Sequence, residues 1–244
     1  MLFLGGLTRW GLPRFDAPIR PDAEFFAIGD IHGCLGHLNR ALQMIGDIDD
    51  GAIIVCVGDY IDRGEQSAGV LQRLYELTGQ RDRFICLMGN HEDMALKFLD
   101  APDKYGDLWL RNGGLQTLAS FGVGKEANLA QTRDRLVDAM GAPLIAWLRV
   151  LPVHWNSGNI AVAHAGADPR VPIAGQTKRD LIWGHQDFEA VPRADGVWVL
   201  HGHTIVERPR TFNGTIAIDT GAYATDRLCV AHVRPGEIAF HSVA

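Results

Sequence analysis

Three short stretches deliver chemistry-grade side chains directly after apolar runs. Phe25-Phe26-Ala27-Ile28 leads into Gly29-Asp30-Ile31-His32-Gly33. Ile53-Ile54-Val55-Cys56-Val57 leads into Gly58-Asp59-Tyr60-Ile61-Asp62-Arg63-Gly64. Phe84-Ile85-Cys86-Leu87-Met88 leads into Gly89-Asn90-His91-Glu92. Two later runs end in the same style, at His164-Ala165-Gly166 and at His201-Gly202-His203-Thr204. Asp30, His32, Asp59, Asn90, His164 and one histidine of the 201–203 pair make a ligand set of carboxylate, imidazole and amide. Such donors suit manganese, iron or zinc, with nickel a further option, and no thiolate is offered. The set is too large for one tetrahedral site, so two metals are the natural count. Asp59, central in the order, is the best bridge. Two cations about 3.5–4 Å apart can hold a hydroxide and clamp the oxygens of an in-line displacement.

The elements that must position these groups follow from pattern. The Val/Ile-rich runs predict strands at about Glu24–Ile28, Ile53–Val57 and Phe84–Met88, buried on both faces. Helices are expected at Leu35–Ile45, closed by Gly46, and from an N-cap at Ser67 through Leu77, closed by Gly79. A third helix is expected from Glu92 to Leu99. This βαβαβα order implies parallel strands with right-handed crossovers, so the ligands gather at the carboxyl ends of one sheet. Residues 100–149 read as mainly helical, with Leu108, Leu115 and Leu118 on one face, and form a cap-like insert. Further strands are expected at Ile160–Ala163, Val197–Leu200, Thr215–Ile218, Leu228–Val233 and Glu237–His241, with 166–196 mostly loop. Residues 1–22 read as an irregular arm, packed through Trp10 and Phe15, ahead of a single domain at 23–244.

Composition sets outer limits. The chain has 244 residues, 47% of them hydrophobic, and a net charge of −6. That charge argues against a broad nucleic-acid surface. No apolar run is long enough to span a bilayer. Met1–Leu7 lacks the basic start and cleavage site of a signal peptide. Cys34, Cys56, Cys86 and Cys229 form no CxxC pair and read as reduced thiols, which fits the cytoplasm.

The motifs resemble the signature of the calcineurin-like metallophosphoesterases. The form Gly58-Asp59-Tyr60-Ile61-Asp62-Arg63-Gly64 is similar to the phosphoprotein phosphatase branch, including its bacterial serine/threonine phosphatases. His164-Ala165-Gly166, Gly202-His203-Thr204 and Ile218-Asp219-Thr220-Gly221 fit it too, so the resemblance runs from about residue 24 to 240. It implies an α/β (α+β) fold, a β-sandwich of two mixed sheets flanked by helices. It implies that Asp30 and His32 bind one metal, that Asp59 bridges, and that Asn90, His164 and His203 bind the other. His203 rather than His201 is the family histidine, because it directly precedes Thr204. His91 would be the general acid, oriented by Asp62, and Arg63 would grip the phosphate. Many relatives carry a second phosphate-binding arginine where this chain has His185, with Arg179, Arg193 and Arg111 as candidate substitutes.

The activity so implied is di-metal, manganese-first hydrolysis of phosphoric monoesters, with a metal-bound hydroxide as nucleophile. A phosphorylated protein is the expected substrate. A symmetrical dinucleoside tetraphosphate or another small phosphoester is the alternative. A nuclease or phosphodiesterase is disfavoured by charge, and a non-catalytic binding module by the complete ligand set. Asp47, Asp49, Asp50 and Asp219 read as turn residues. His37, His154, His232 and His241 read as surface or structural. The tryptophans read as packing, with Trp109 and Trp183 flanking the cleft.

Overall fold

A computed structural model describes residues 15–244. The first half alternates as its pattern requires: β1 (Phe25–Ile28), α1 (Leu35–Ile48), β2 (Ile53–Cys56), α2 (Ser67–Gln80), β3 (Phe84–Cys86) and α3 (Asn90–Asp100). Four helices follow, α4 (Pro102–Trp109), α5 (Leu115–Ser120), α6 (Leu129–Met140) and α7 (Ala142–Arg149). The remainder is β-rich: β4 (His154–Ser157), β5 (Ile160–Ala163), α8 (Lys178–Trp183), β6 (Trp198–His201), β7 (Arg210–Phe212), β8 (Thr215–Ala217), α9 (Ala222–Thr225), β9 (Leu228–Arg234) and β10 (Glu237–Val243).

These strands form two five-stranded mixed sheets, ordered β10-β9-β1-β2-β3 and β4-β5-β6-β8-β7. β1, β2 and β3 are parallel, with Phe25 opposite Ile53 and Ile54 opposite Phe84. The terminal hairpin returns antiparallel onto β1. Side-chain alternation splits the first sheet's burial. Phe25, Ala27, Val55 and Val57 meet Ile160, Val162, Leu200 and Ile216 between the sheets. Phe26, Ile28, Ile54 and Cys56 face the helical layer with Leu38, Leu71 and Phe98. Both faces are dry, which is why those strands read as unbroken apolar runs.

Several local expectations need correction. α1 and α2 run past Gly46 and Gly79, to Ile48 and Gln80, because packing of the apolar face holds a helix through a glycine. Ser67 opens α2 without capping it; its Oγ instead accepts the Asp62 N–H at 3.1 Å. Leu108, Leu115 and Leu118 do not share a face: Leu118 is buried, whereas Leu108 and Leu115 are about half exposed. The cause is a kink at Asn112–Gly113, where Gly113 takes φ 106° and turns α5 away from α4. The edge strands β4 and β7 and the short helix α8 are additions to the sequence reading. The cysteines are free, with Cys34 half-buried and the other three buried.

The helices of the insert lean on α2 and α3. Trp109 packs against Phe98, tilted by 30° at 4.8 Å, and Trp147 meets Tyr75 at 5.9 Å. Of the N-terminal arm, Phe15 packs on Trp198 at 4.8 Å, and Arg20 bonds through its backbone to Asn159. Trp10 lies outside the described residues. No helix among the described residues is long and apolar enough to cross a membrane.

Candidate active site

The carboxyl ends of β1, β2, β3, β5, β6 and β8 converge, and tight turns present the polar groups there. His32, Asp59, Asp62, Arg63 and His203 all sit at positive φ, between 44° and 70°. Each such position costs on the order of 1–3 kcal/mol and persists only where the surroundings over-determine it. The turns are bolted together: Ile31 and His32 donate N–H bonds to the Asp59 carbonyl at 3.0 and 2.9 Å, and Gly33 donates to Tyr60. Glu92, on the first turn of α3, is the central clamp. Its carboxylate accepts N–H bonds from Asp59, Tyr60, Ile61 and Gly89, at 2.8–3.3 Å. Burial beside Asp59 pushes Glu92 up to about 8, against the pull of those amides.

The six predicted ligand residues are brought together. His32 donates Nδ1–H to the Ile61 carbonyl at 2.8 Å, which leaves Nε2 as a lone pair 3.6 Å from Asp59 Oδ2. His164 does the same through Val57 O at 3.1 Å, with Nε2 3.3 Å from Asp59 Oδ1. His164 Nε2 and His203 Nδ1 both lie 2.9 Å from Asn90 Oδ1. The Asp30 carboxylate accepts the His203 N–H at 2.9 Å and lies against Gly202, where any Cβ would collide with it. His201 points elsewhere, onto Phe188 and towards Glu189. Burial drives His32 down to about 3 and His164 to about 4, so both imidazoles are neutral donors of a lone pair. Burial disfavours charge on Asp59 too, but His164, His91 and His32 together hold it below the carboxylate range. Burial, with Asp219 and Asp59 nearby, raises Asp30.

Divalent cations fit these residues. Asp30 Oδ1 and His32 Nε2 are buried and have no hydrogen-bond partner among the described residues. Ligand atoms of Asp59, His164 and His203 lie within 4.8 Å of one another, as do those of His32, Asp59 and His91. Asp59 belongs to both groups, with one oxygen towards each histidine set. Oxygen and imidazole donors without sulfur match a hard to borderline metal.

His91 follows Asn90 on α3. Its Nδ1 donates to Asp62 Oδ2 at 2.6 Å, and its Nε2 lies 3.8 Å from Asp59 Oδ2. Burial opposes charge on this ring, yet the Asp59 and Asp62 carboxylates outweigh it and raise its pKa. Asp62 is itself fully buried and held by Trp109 Nε1 at 3.0 Å and by Thr117 Oγ1 at 2.6 Å. Trp109 is thus an orienting donor, not a stacking platform. Sequence spacing gave no signal for Thr117 or for this use of Trp109.

Arg63 pairs with neither Asp62 nor Asp59 among the described residues. It lies under the ring of Tyr223, 5.0 Å from its centroid, with the hydroxyl at 3.4 Å. Tyr223, on α9, also meets the His32 ring edge at 5.3 Å; nothing in the sequence pattern pointed to it. Asp219 does accept the Gly221 N–H, as a turn residue would. It is also buried beside Asp30, and burial lifts it to about 6. His185 is not brought to the cluster: its Nδ1 accepts the Asp187 N–H, and its Nε2 lies 3.7 Å from Asp168. Arg193 is buried on Asp195 and the carbonyls of Asp168 and Val171, and exposed Arg111 faces Asp107.

The profile of the calcineurin-like phosphoesterases matches residues 23–228. The chain belongs to that family. This phosphoesterase is 32% identical to serine/threonine-protein phosphatase 1 of Salmonella typhimurium, over 86% of this chain and 91% of that one. It is 30% identical to an asymmetrical bis(5'-nucleosyl)-tetraphosphatase of Oceanobacillus iheyensis, over 82% of this chain and 85% of that one. The solved structure of a candidate diadenosine tetraphosphatase overlays with a TM-score of 0.65 at 20% identity, covering 94% of this chain and 99% of that one. At that identity it speaks for the fold alone. The phosphoesterase is therefore a hydrolase of a divalent-metal-dependent family.

Proposed function

We propose that this phosphoesterase hydrolyses phosphoric monoesters, with phosphoserine or phosphothreonine of proteins as its substrate and manganese as its metal. The observation that carries this reading is the buried Asp62–His91 pair beside Asp59, with Arg63 at the mouth. Asp30, His32 and Asp59 would hold one cation, and Asp59, Asn90, His164 and His203 the other. Bound there, two cations would lower the pKa of water and offset charge on the phosphate oxygens.

The chain's own groups do the rest. Arg63 offers two parallel donors to the non-bridging phosphate oxygens and orients phosphorus for in-line attack by water. Asp62 fixes the Nδ1–H tautomer of His91, so Nε2 carries the second proton of the charged ring. His91 gives that proton to the departing alkoxide oxygen as the P–O bond breaks. No phosphoenzyme forms.

A second reading is hydrolysis of a dinucleoside tetraphosphate, supported by relatives that carry that name. Those relatives are named asymmetrical, not symmetrical as the motif resemblance alone suggested. The test is manganese-dependent turnover of a phosphoserine peptide, an aryl phosphate monoester, the matching diester and diadenosine tetraphosphate. Peptide and monoester turnover, abolished by chelation, is expected. Preference for the tetraphosphate or the diester by tenfold or more in kcat/KM would overturn the protein-phosphatase reading.

A further inference from the structure

A groove of about 570 Å³ lies between α3 and α8, lined by Asp93, Lys97, Lys178, Arg179, Ile182 and Trp183. Both walls are tied to the candidate active site. α3 begins with Asn90 and His91, and Ala165, the residue after His164, donates its N–H to Leu181 of α8 at 2.8 Å. Three cations line this groove with one carboxylate, and Arg179 also lies 3.7 Å from Asp180 Oδ1 at its edge. Asp93 is already taken up by Lys97 Nζ at 2.6 Å and Trp183 Nε1 at 3.0 Å, with Lys178 at 3.8 Å. The Lys178 and Arg179 side chains are 58% and 78% exposed. A cationic patch on a helix that also carries site residues stands out on a chain whose net charge is −6.

We infer that this groove binds an acidic segment of a phosphoprotein substrate, flanking the phosphorylated residue; the inference rests on the protein-phosphatase reading. Charge is what the groove offers. The Trp183 ring has its polar edge bound to Asp93 and one face under Lys97 Nζ, 5.5 Å from the centroid, so it is poorly placed to stack a nucleobase. Lys97 lies seven positions beyond the ligand residue Asn90, on the same face of one helix and about 10 Å along it at the rise of about 1.5 Å per residue. An extended peptide covers that in about three residues, at about 3.3 Å each. The preferred acids therefore sit about three positions from the phosphoresidue.

The test compares two phosphoserine peptides, one with Glu at two to four positions from the phosphoserine and one with Gln there, on wild type and on the Lys178→Glu/Arg179→Glu double variant. Diadenosine tetraphosphate is run alongside. Expected is a kcat/KM ratio of about fivefold in favour of the acidic peptide, from surface ion pairs of ordinary strength. The ratio should fall to one or below in the double variant, and shrink in wild type between about 50 and 500 mM salt. Equal turnover of both peptides by wild type, or a ratio unchanged by the double variant, overturns the groove while leaving the protein-phosphatase reading intact. If neither peptide is cleaved and the tetraphosphate is, both fall together.

Discussion

At the scale of single residues, the informative feature is division of labour between chemically similar groups. Asp59 and Asp62 are three positions apart on one turn, and both carboxylates are buried. Asp59 faces three imidazoles and stays ionised, while Asp62 spends its oxygens on His91, Trp109 and Thr117. If His91 is the proton donor, its loss should matter in proportion to the basicity of the leaving oxygen. His91→Asn is expected to lower kcat by about 10²–10⁴ on an alkyl phosphate. On a nitrophenyl phosphate, whose leaving group needs no proton, the loss should be much smaller. A Brønsted series of leaving groups checks this; equal losses across the series would remove His91 from the acid role. Arg63 makes a different prediction. Lysine keeps the charge but not the planar fork. Arg63→Lys is expected to raise KM roughly tenfold, the cost of about one charge-assisted hydrogen bond. Initial-rate kinetics on a phosphopeptide reads it directly.

At the scale of elements, the helical insert reaches the chemistry through two side chains and one turn. Trp109 ends α4 and Thr117 lies on α5, and both bond Asp62; between them the Gly113 carbonyl accepts the Arg63 N–H at 3.4 Å. The kink that breaks the expected Leu108–Leu115–Leu118 face is what allows this. A Cβ on Gly113 would overlap the Arg63 amide, and its φ of 106° favours glycine alone. Trp109→Phe keeps the packing on Phe98 and deletes one donor to Asp62. We expect kcat to fall about tenfold with little change in KM or thermal midpoint. Thr117→Val removes both the bond to Asp62 Oδ1 and the acceptor for its N–H, and should also cost about 1–3 kcal/mol of stability by denaturant titration. Little of this was legible in the sequence, because α4, α5 and the β2 turn meet only after folding. The ligand residues were legible because each follows directly on a strand, and a sheet collects the ends of its parallel strands whatever else happens. The strands that escaped notice, β4 and β7, are short edge strands whose side chains are exposed or half-exposed except for Ser157, so no apolar alternation announces them. Tyr223 arrives from α9, 160 positions beyond Arg63, and no spacing rule links the two.

At the scale of the whole molecule, the site joins the halves of the chain. Asp30, Asp59 and Asn90 come from one sheet, and His164 and His203 from the other, so ligands from both layers of the sandwich meet at one edge. That edge concentrates like charge. Asp30, Asp59, Glu92 and Asp219 are all nearly inaccessible, and burial raises Asp30, Glu92 and Asp219. Protons can neutralise part of this charge, whereas divalent cations would neutralise the ligand carboxylates and satisfy Asp30 Oδ1 and His32 Nε2 together. Metal should therefore stabilise the fold as well as support turnover. With free metal at about 100 times its dissociation constant, mass action supplies about 2.7 kcal/mol. For a chain of this size that corresponds to roughly 5–10 °C in the thermal midpoint. Calorimetry before and after chelation should show that drop, and restoring manganese should reverse it. Asp59→Asn discriminates between specific binding and general screening, because it removes half of a bridge but keeps the side chain's shape. In that variant the metal-dependent shift should collapse, while the metal-free midpoint stays the same or rises through relief of repulsion. A variant that still gains the full shift from manganese would place the cations somewhere other than on Asp59, and would undo the ligand assignment on which the proposed chemistry rests.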